Sequence, residues 1–345
     1  MRTAFRPVIM LALLSGFIAE FLLGDQYLSG FEPAAEQVAS FILFVAFYGM
    51  AAVLIHELAR RLRLGWTGIL LLALGYGIFE EGLITQSLFN PHYLGLSLIQ
   101  PGYVPMLGIG APWTIFVISL HVVWSISAPI AITEAWYGRD DPEHVVRPWL
   151  GRVGIVVCLV IFVLAAAATA AFSIASDPHR FVAPPARLII TALAVGTAVV
   201  LAVRLRGRQP PPVQPTVRAT VISAALVVVA AGLFESTDKL SGLSPWLRTA
   251  IVAALWLVML VILSGWSRRG STVVPPGPAP FGLAAGAVIT YCWVGLVSAV
   301  SAGPAGIAEQ SVLVIIALAI VAWTARRSLQ SSAPRSRPAQ SPALS

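Results

Sequence analysis

Apolar residues in this chain do not mark one face of a helix or alternate along strands. They come in unbroken runs about 20 residues long, separated by short stretches that hold most of the charge. An α-helix needs about 20 apolar residues to cross the hydrocarbon of a bilayer, so each run predicts a transmembrane helix. Ten runs are found, at about 5–24, 34–56, 66–88, 111–135, 153–175, 188–203, 216–234, 246–266, 281–300 and 307–324. The predicted fold class is all-α: a polytopic integral membrane protein of about ten transmembrane helices, in one helical domain over residues 1–327. The proline-rich stretch 209–215 reads as a linker between a six-helix and a four-helix bundle. Residues 328–345, rich in Ser, Pro, Ala and Arg, have too little apolar content to fold and read as a disordered cytoplasmic tail.

Charge sets the orientation. With ten crossings both termini share one side. Placing that side in the cytoplasm puts 18 of the 22 basic residues there, leaving Arg180, Arg187, Lys239 and Arg248 outside, and only five of the 15 acidic ones. An odd number of helices would destroy this segregation, which is the positive-inside pattern. Arg2 and Arg6 precede the first run, Glu20 interrupts its end and Asp25 follows without a small-x-small cleavage site, so the segment reads as an uncleaved first helix in the inner (plasma) membrane.

Composition narrows the function. With 58% hydrophobic and 11% charged residues and a mean hydropathy of +0.85, the loops are too short for a folded extramembrane domain, which excludes a soluble enzyme on an anchor. Net charge is +7, but the arginines cluster between apolar runs and form no polar face that tracks phosphates. The expected partners are therefore membrane lipids and a small solute or ion, and no nucleic acid. Cys158 and Cys292 fall inside apolar runs and read as small buried hydrophobes. Phosphate-binding glycine loops, a serine-nucleophile elbow and a Cys-x-x-Cys pair are all missing from the sequence, which disfavours nucleotide-driven transport and redox chemistry.

One stretch departs from the pattern. Between Glu81 and Glu134 there is no Lys, Arg, Asp or Glu, although the apolar runs there are separated by residues 89–110. Asn90-Pro91, Pro101-Gly102 and Gly108-Ile109-Gly110 break helix, while His92, Tyr93 and Tyr103 suit a membrane interface. The connection reads either as a re-entrant or lid segment over a cavity or as a loop lying on the headgroups.

Just before it stand Glu80 and Glu81. A carboxylate at the bilayer centre costs about 2.5–3.5 kcal/mol, so these must face protein or water. The face Gly77, Glu81, Thr85 is small and polar, and the face Tyr76, Glu80, Ser87 offers Glu80 a hydroxyl. His121 falls near the midplane of the fourth predicted helix, with Trp124, Ser125 and Ala128 on its face. If the third and fourth helices are neighbours, Glu80, Glu81 and His121 share a cavity, where they would pass protons, act as a general base, or hold a divalent metal. Thr85, Asn90, His92, Tyr93, Trp124, Ser125 and Glu235 are the candidate substrate-binding residues around them. Gly77-Ile78-Phe79-Glu80 recurs as Gly232-Leu233-Phe234-Glu235, with a looser echo in Gly16-Phe17-Ile18-Ala19-Glu20. Glu20, Glu36, Glu235, Asp238 and Glu309 read as solvated helix ends. His56-Glu57 reads as an interfacial anchor, because Arg60 stands where a metalloprotease would carry its second histidine.

The segments Glu57-Leu58-Ala59-Arg60-Arg61, Phe79-Glu80-Glu81-Gly82-Leu83, Gln86-Ser87-Leu88-Phe89-Asn90-Pro91 and His121-Val122-Val123-Trp124-Ser125-Ile126 resemble a group of uncharacterised bacterial polytopic membrane proteins, a likeness that implies no activity. The Glu80-Glu81 pair with a later helical histidine is also similar, over about three helices, to the CAAX-protease and bacteriocin-processing intramembrane proteases. Their motifs are Glu-Glu-x-x-x-Arg, Phe-x-x-x-His and a further His-x-x-x-Asn or Asp. Here Thr85 stands at the arginine position, Phe116 to His121 is one residue too long, and the third motif is missing from the later helices.

These readings predict a transporter or permease with an outward-facing acidic cavity, coupled to protons or a cation and needing no cofactor. The alternatives are an intramembrane metal-dependent hydrolase or protease using Glu80, Glu81 and His121, with a divalent metal, and a non-catalytic accessory subunit. The oligomeric state is not predicted.

Overall fold

The computed structural model describes residues 4–24, 32–137, 147–207, 216–239, 242–268 and 279–330. The linker expected at 209–215 and nearly all of the tail expected from 328 lie outside the described residues. Helix α12 carries the chain through Gln330.

Every predicted run coincides with helix over most of its length, although the first ends at Phe21 and the third at Ile84, short of the predicted 24 and 88. α1 (Phe5–Gly16) passes into a π-helical segment, π1 (Phe17–Phe21); α2 (Ala34–Phe44), π2 (Val45–Gly49) and α3 (Met50–Arg61) form one continuous run. α4 (Trp66–Phe79) passes into π3 (Glu80–Ile84), and α5 (Ala111–Leu120) runs through π4 (His121–Ser127) into α6 (Ala128–Tyr137). Then come α7 (Arg152–Ser176), α8 (Pro185–Arg204), α9 (Val217–Lys239), α10 (Pro245–Arg268), α11 (Pro280–Ala299) and α12 (Gly303–Gln330). Prolines open α5, α8 and α11, where a missing N–H costs nothing.

Eight helical runs among the described residues are long and apolar enough to cross a membrane: Ala34–Arg61, Trp66–Ile84, Ala111–Tyr137, Arg152–Ser176, Pro185–Arg204, Val217–Thr237, Pro245–Gly265 and Pro280–Ser328. The last has 49 residues, about 74 Å of helix and over twice the hydrocarbon thickness. It is not straight. A 3₁₀ turn at Val300–Ala302 and Gly303, at φ +71°, reverse the chain so that α11 and α12 pack side by side. The first run, α1 with π1, is shorter than the eight.

Large apolar side chains such as Val153, Val160, Leu164, Leu193, Leu257, Val261 and Ile315 are exposed around α7, α8, α10 and α12. A bundle that turns this much aliphatic surface outward suits lipid. Inside, α4 packs on α8, and α11 packs on α9 and on α6. Gly282 and Gly286 let α11 approach α9 closely, since a Cβ at either would strike the carbonyl of Thr220 or Ala224; this small-x-x-x-small spacing substitutes for apolar driving force in lipid. Cys158 and Cys292 are unpaired and buried.

Pro129, two residues past π4, has no N–H to offer the carbonyl of Ser125 four residues back. The hydroxyl of Ser15 on α1 takes its place, donating to Ser125 O at 2.6 Å. The helix thus widens where α1 supplies a substitute bond.

The connection 85–110 divides in two. Gln86, at φ +56°, turns the chain sharply off π3, and residues 86–90 are all buried against the bundle. Gln86 Oε1 accepts from Ala183 N at 2.7 Å and Thr85 O from Ser173 Oγ at 3.0 Å, tying this cover to the α7–α8 corner. Beyond it β1 (Tyr103–Val104) pairs antiparallel with β2 (Ile109–Gly110), Tyr103 opposite Gly110, and Met106 at the hairpin tip is 91% exposed.

Candidate functional site

All four π-helical segments among the described residues, on four different helical runs, contribute to one polar cluster. π3 carries Glu80 and Glu81, π4 carries His121 and Ser125, π2 carries Tyr48, and π1 carries Glu20. An extra residue in a helical turn re-aims side chains at the cost of backbone regularity, and such bulges recur at functional sites.

His121 is the hub. Its Nε2 lies 2.7 Å from Glu81 Oε1 and 3.0 Å from Glu80 Oε2. One N–H serves one acceptor well: Glu81 takes the hydrogen bond, whereas Glu80 Oε2 is buried with no hydrogen-bond donor. Nδ1 faces Ser125 Oγ at 3.3 Å. The Tyr48 ring stacks parallel to the imidazole at 5.8 Å between centroids and the Tyr76 ring meets it edge-on at 5.9 Å. The three candidate ligand atoms lie within 4.8 Å of one another, and all three residues are buried.

Glu81 is held from its other side. Ser87 Oγ donates a hydrogen bond to Glu81 Oε2, Thr85 Oγ1 lies 3.4 Å from the same oxygen, and Trp113 Nε1 donates to Ser87 Oγ at 3.2 Å. The hydroxyl expected beside Glu80 therefore belongs to Glu81. The left-handed turn at Gln86 ends the helix before Ser87, so helical spacing no longer governs where Ser87 points.

Of the other candidates, Thr85, Ser125 and Tyr93 join the cluster, Tyr93 through a hydrogen bond to Thr85. Trp124 does not: it is a packing residue whose Nε1 donates to Ala287 O at 2.8 Å and whose ring stacks on Tyr291 at 4.4 Å. Glu235 is buried on α9 next to Phe234, which stacks on Phe116 at 4.8 Å. Asn90 and His92 belong to a separate contact with the α7–α8 corner.

Three sequence expectations about acidic helix ends and the interfacial anchor are corrected. Glu235, expected as a solvated helix end, is buried on α9. Glu20 is no freely solvated helix end: it hydrogen-bonds Tyr48 and stands within electrostatic reach of His121 and Glu81. The glycine-to-glutamate echo at 16–20 was its only signal. His56-Glu57 is no interfacial anchor either, because both residues and Arg60 are buried in a second polar centre. There Arg60 grips Glu134 with two hydrogen bonds of 2.6 Å, and His56 Nε2 lies 3.2 Å from Glu134. Trp149 stacks on His56 at 3.6 Å and donates its backbone N–H to Glu57 at 2.5 Å, while Arg61 reaches Glu57 at 3.3 Å. A buried arginine and glutamate satisfied in a fork geometry form a structural clasp between α3 and α6.

Chemically, the first cluster gathers three carboxylates around one imidazole. Between Arg6, exposed at the start of α1, and Arg139 the only Lys or Arg residues are Arg60, Arg61 and Arg63, and Arg60 and Arg61 belong to the other centre, so π1, α4 with π3, and α5 with π4 carry no Lys or Arg. Carboxylates in a low-dielectric interior need positive charge. The set suits a proton or a divalent cation that accepts oxygen and imidazole ligands.

No curated protein and no solved structure matches the chain. Residues 9–330, nearly the whole length and both polar centres included, match the model of a family described as "Uncharacterized membrane protein family". The chain belongs to that family of membrane proteins, as the resemblance in its helical motifs implied.

Proposed function

We propose that the protein is a multi-pass inner-membrane carrier in which Glu80, Glu81 and His121 bind a cation, a proton or a divalent metal, coupled to movement of a small solute or ion. In this reading ten helices cross the membrane: α1–π1 and both halves of the Pro280–Ser328 run each make a crossing, which leaves both termini in the cytoplasm. The supporting observation is the buried Glu80 Oε2, which shares His121 Nε2 with Glu81 at 3.0 Å and has no hydrogen-bond donor of its own. An anion so placed is stable only if a proton or cation visits it. Glu20 and Tyr48 extend the polar path along α1.

A second reading, metal-dependent hydrolysis, is favoured by the convergence of three ligand atoms from two helices. Glu80, Glu81 and His121 would hold the ion, which would supply Lewis acidity to a water or carbonyl. Thr85, Ser87 and Trp113 would orient the groups around it.

The test is metal content and flux with one set of variants. Wild-type protein in detergent is compared with Glu81→Gln and His121→Ala for bound divalent metal, and proteoliposomes are compared with a Glu80→Gln/Glu81→Gln form for pH-driven or cation-driven uptake. The carrier reading expects flux lost in the double variant; flux unchanged there would sink it. A near-stoichiometric metal lost in the single variants, with no flux in the wild type, would move the assignment to the hydrolase.

A further inference from the structure

Asn90-Pro91-His92 and Asp177-Pro178-His179 are one local design used twice, an Asx residue followed by proline and histidine. In each, the Asx side chain accepts the backbone N–H of its own histidine: Asn90 Oδ1 from His92 at 2.9 Å and Asp177 Oδ1 from His179 at 2.7 Å. These are Asx turns, with the proline fixing the intervening backbone. The two units meet face to face. Asn90 Nδ2 donates to Asp177 Oδ2 at 2.6 Å, and the rings of His92 and His179 lie 5.3 Å apart between centroids, with 49° between their planes. Asn90 and Asp177 are buried, whereas both imidazoles are exposed. A satisfied polar base thus brings together the backbones of two histidines that lie 87 residues apart in sequence, and their rings meet.

We propose that His92 and His179 form a surface site for a divalent transition-metal ion of the imidazole-preferring class, Zn²⁺, Cu²⁺ or Ni²⁺. Metal–nitrogen bonds of about 2.0–2.1 Å and tetrahedral angles put the centres of two coordinated imidazoles about 5 Å apart, the separation already present here. The Asx turns bind the backbone N–H of each histidine, so they fix where the two residues stand in the chain, and the exposed ring nitrogens remain available to an ion. Asp177 is committed to that base, so water completes the coordination and the site stays open and exchangeable. Ser87, which holds Glu81, lies three residues before Asn90. The site stands whether or not the buried cluster binds a cation.

Full-length protein purified without a polyhistidine tag is titrated with Cu²⁺ and followed by electron paramagnetic resonance, with Zn²⁺ competition. The wild type is expected to show one copper coupled to two nitrogens and displaced by Zn²⁺. His92→Ala and His179→Ala are each expected to lose the two-nitrogen pattern and to weaken binding by at least the tenfold that loss of even a supporting group costs. Both side chains are exposed, so neither change disturbs the fold, and His92→Gln and His179→Gln serve as polar versions of the same test. A Glu81→Gln/His121→Ala form keeps the signal, which separates this site from the buried cluster. A two-nitrogen signal that survives in both single variants, or no copper bound by the wild type, would overturn the assignment.

Discussion

The Arg60–Glu134 clasp gives the sharpest energetic test of the architecture. Arg60 is 6% and Glu134 8% exposed, and the guanidinium and carboxylate meet in a two-bond fork at 2.6 Å, with His56 Nε2 0.6 Å further from the same carboxylate. Glu134→Gln keeps the shape but removes the counter-charge from a buried arginine, and deleting one member of such a pair costs about 3–5 kcal/mol. Most of that cost is the stranded charge rather than the worth of the pair, since a buried pair replaced by apolar residues of similar volume is often neutral. Arg60→Met alone and Glu134→Leu alone each strand a buried charge, whereas Arg60→Met with Glu134→Leu is expected to cost only about 1 kcal/mol, a coupling of at least about 2 kcal/mol in the cycle of those three variants and the wild type. The assay is unfolding free energy in bicelles, measured by trapping the opened state, for the wild type, Glu134→Gln, both single variants of the cycle and the pair. A Glu134→Gln loss under about 1 kcal/mol, or a double variant as unstable as the worse single one, would refute the pairing.

Two further outcomes follow from the bonds described. Ser15→Ala removes the hydroxyl that donates to the Ser125 carbonyl and is expected to cost about 1–3 kcal/mol, but much less in a Pro129→Ala background, where residue 129 regains an N–H to donate; equal costs in both backgrounds would show that Ser15 plays no substitute role. At the α7–α8 corner, the hydrogen bond from Asn90 holds the Asp177 carboxyl below its ordinary value of 3.8, against a smaller opposing push from burial. A depressed carboxylate stabilises the fold above its unfolded pKa and loses that contribution as pH falls through the folded value. The stability gap between the wild type and Asp177→Asn, followed by thermal melting, is therefore expected to be constant above about pH 5 and to close below about pH 4; a gap that widens on acidification would contradict the sign.

Much of this architecture is written in run length alone, because in lipid only helices satisfy their own backbone and a run of about 20 apolar residues has few other conformations. The Glu80–Glu81–His121 grouping was legible for a related reason, as the polar exceptions within an uncharged stretch. What the sequence did not reveal depends on departures from regular helix. Straight α-helical geometry separates Glu80 from Glu81 by about 100°, and only the π segments turn both toward one imidazole. Ser87 looked like a partner of Glu80 by helical spacing and became one of Glu81 at a left-handed turn. Glu20 and Glu57 looked alike, each an acid near the end of an apolar run, yet each is drawn into a polar centre by a partner distant in sequence, Tyr48 in one case and Trp149 in the other. Trp124 shows the converse: it lies on a sequence pattern shared with the cluster, but α11 claims it for packing.

The two polar centres are built on the same helices, which bears on the choice between carrier and hydrolase. The run through π2 and α3 carries Tyr48 and, eight residues on, His56; the run through π4 and α6 carries His121 and, thirteen residues on, Glu134. These spacings are about 12 and 20 Å of helix. Between the centres lie Ala52, Val53, Ile126 and Ile130, all fully buried, so the two runs cannot slide past each other at one end without repacking along their length. Opening the clasp must therefore shift Tyr48 relative to His121. Alternating access requires such a link between a closed end of the bundle and the residues proposed to bind the cation, whereas hydrolysis at a fixed metal does not. In Glu134→Gln the carrier reading expects cation affinity at Glu81 and His121 to change along with flux, although residue 134 lies about 20 Å away. Affinity equal to wild type in a folded Glu134→Gln protein would leave the clasp a purely structural contact and remove this support for transport.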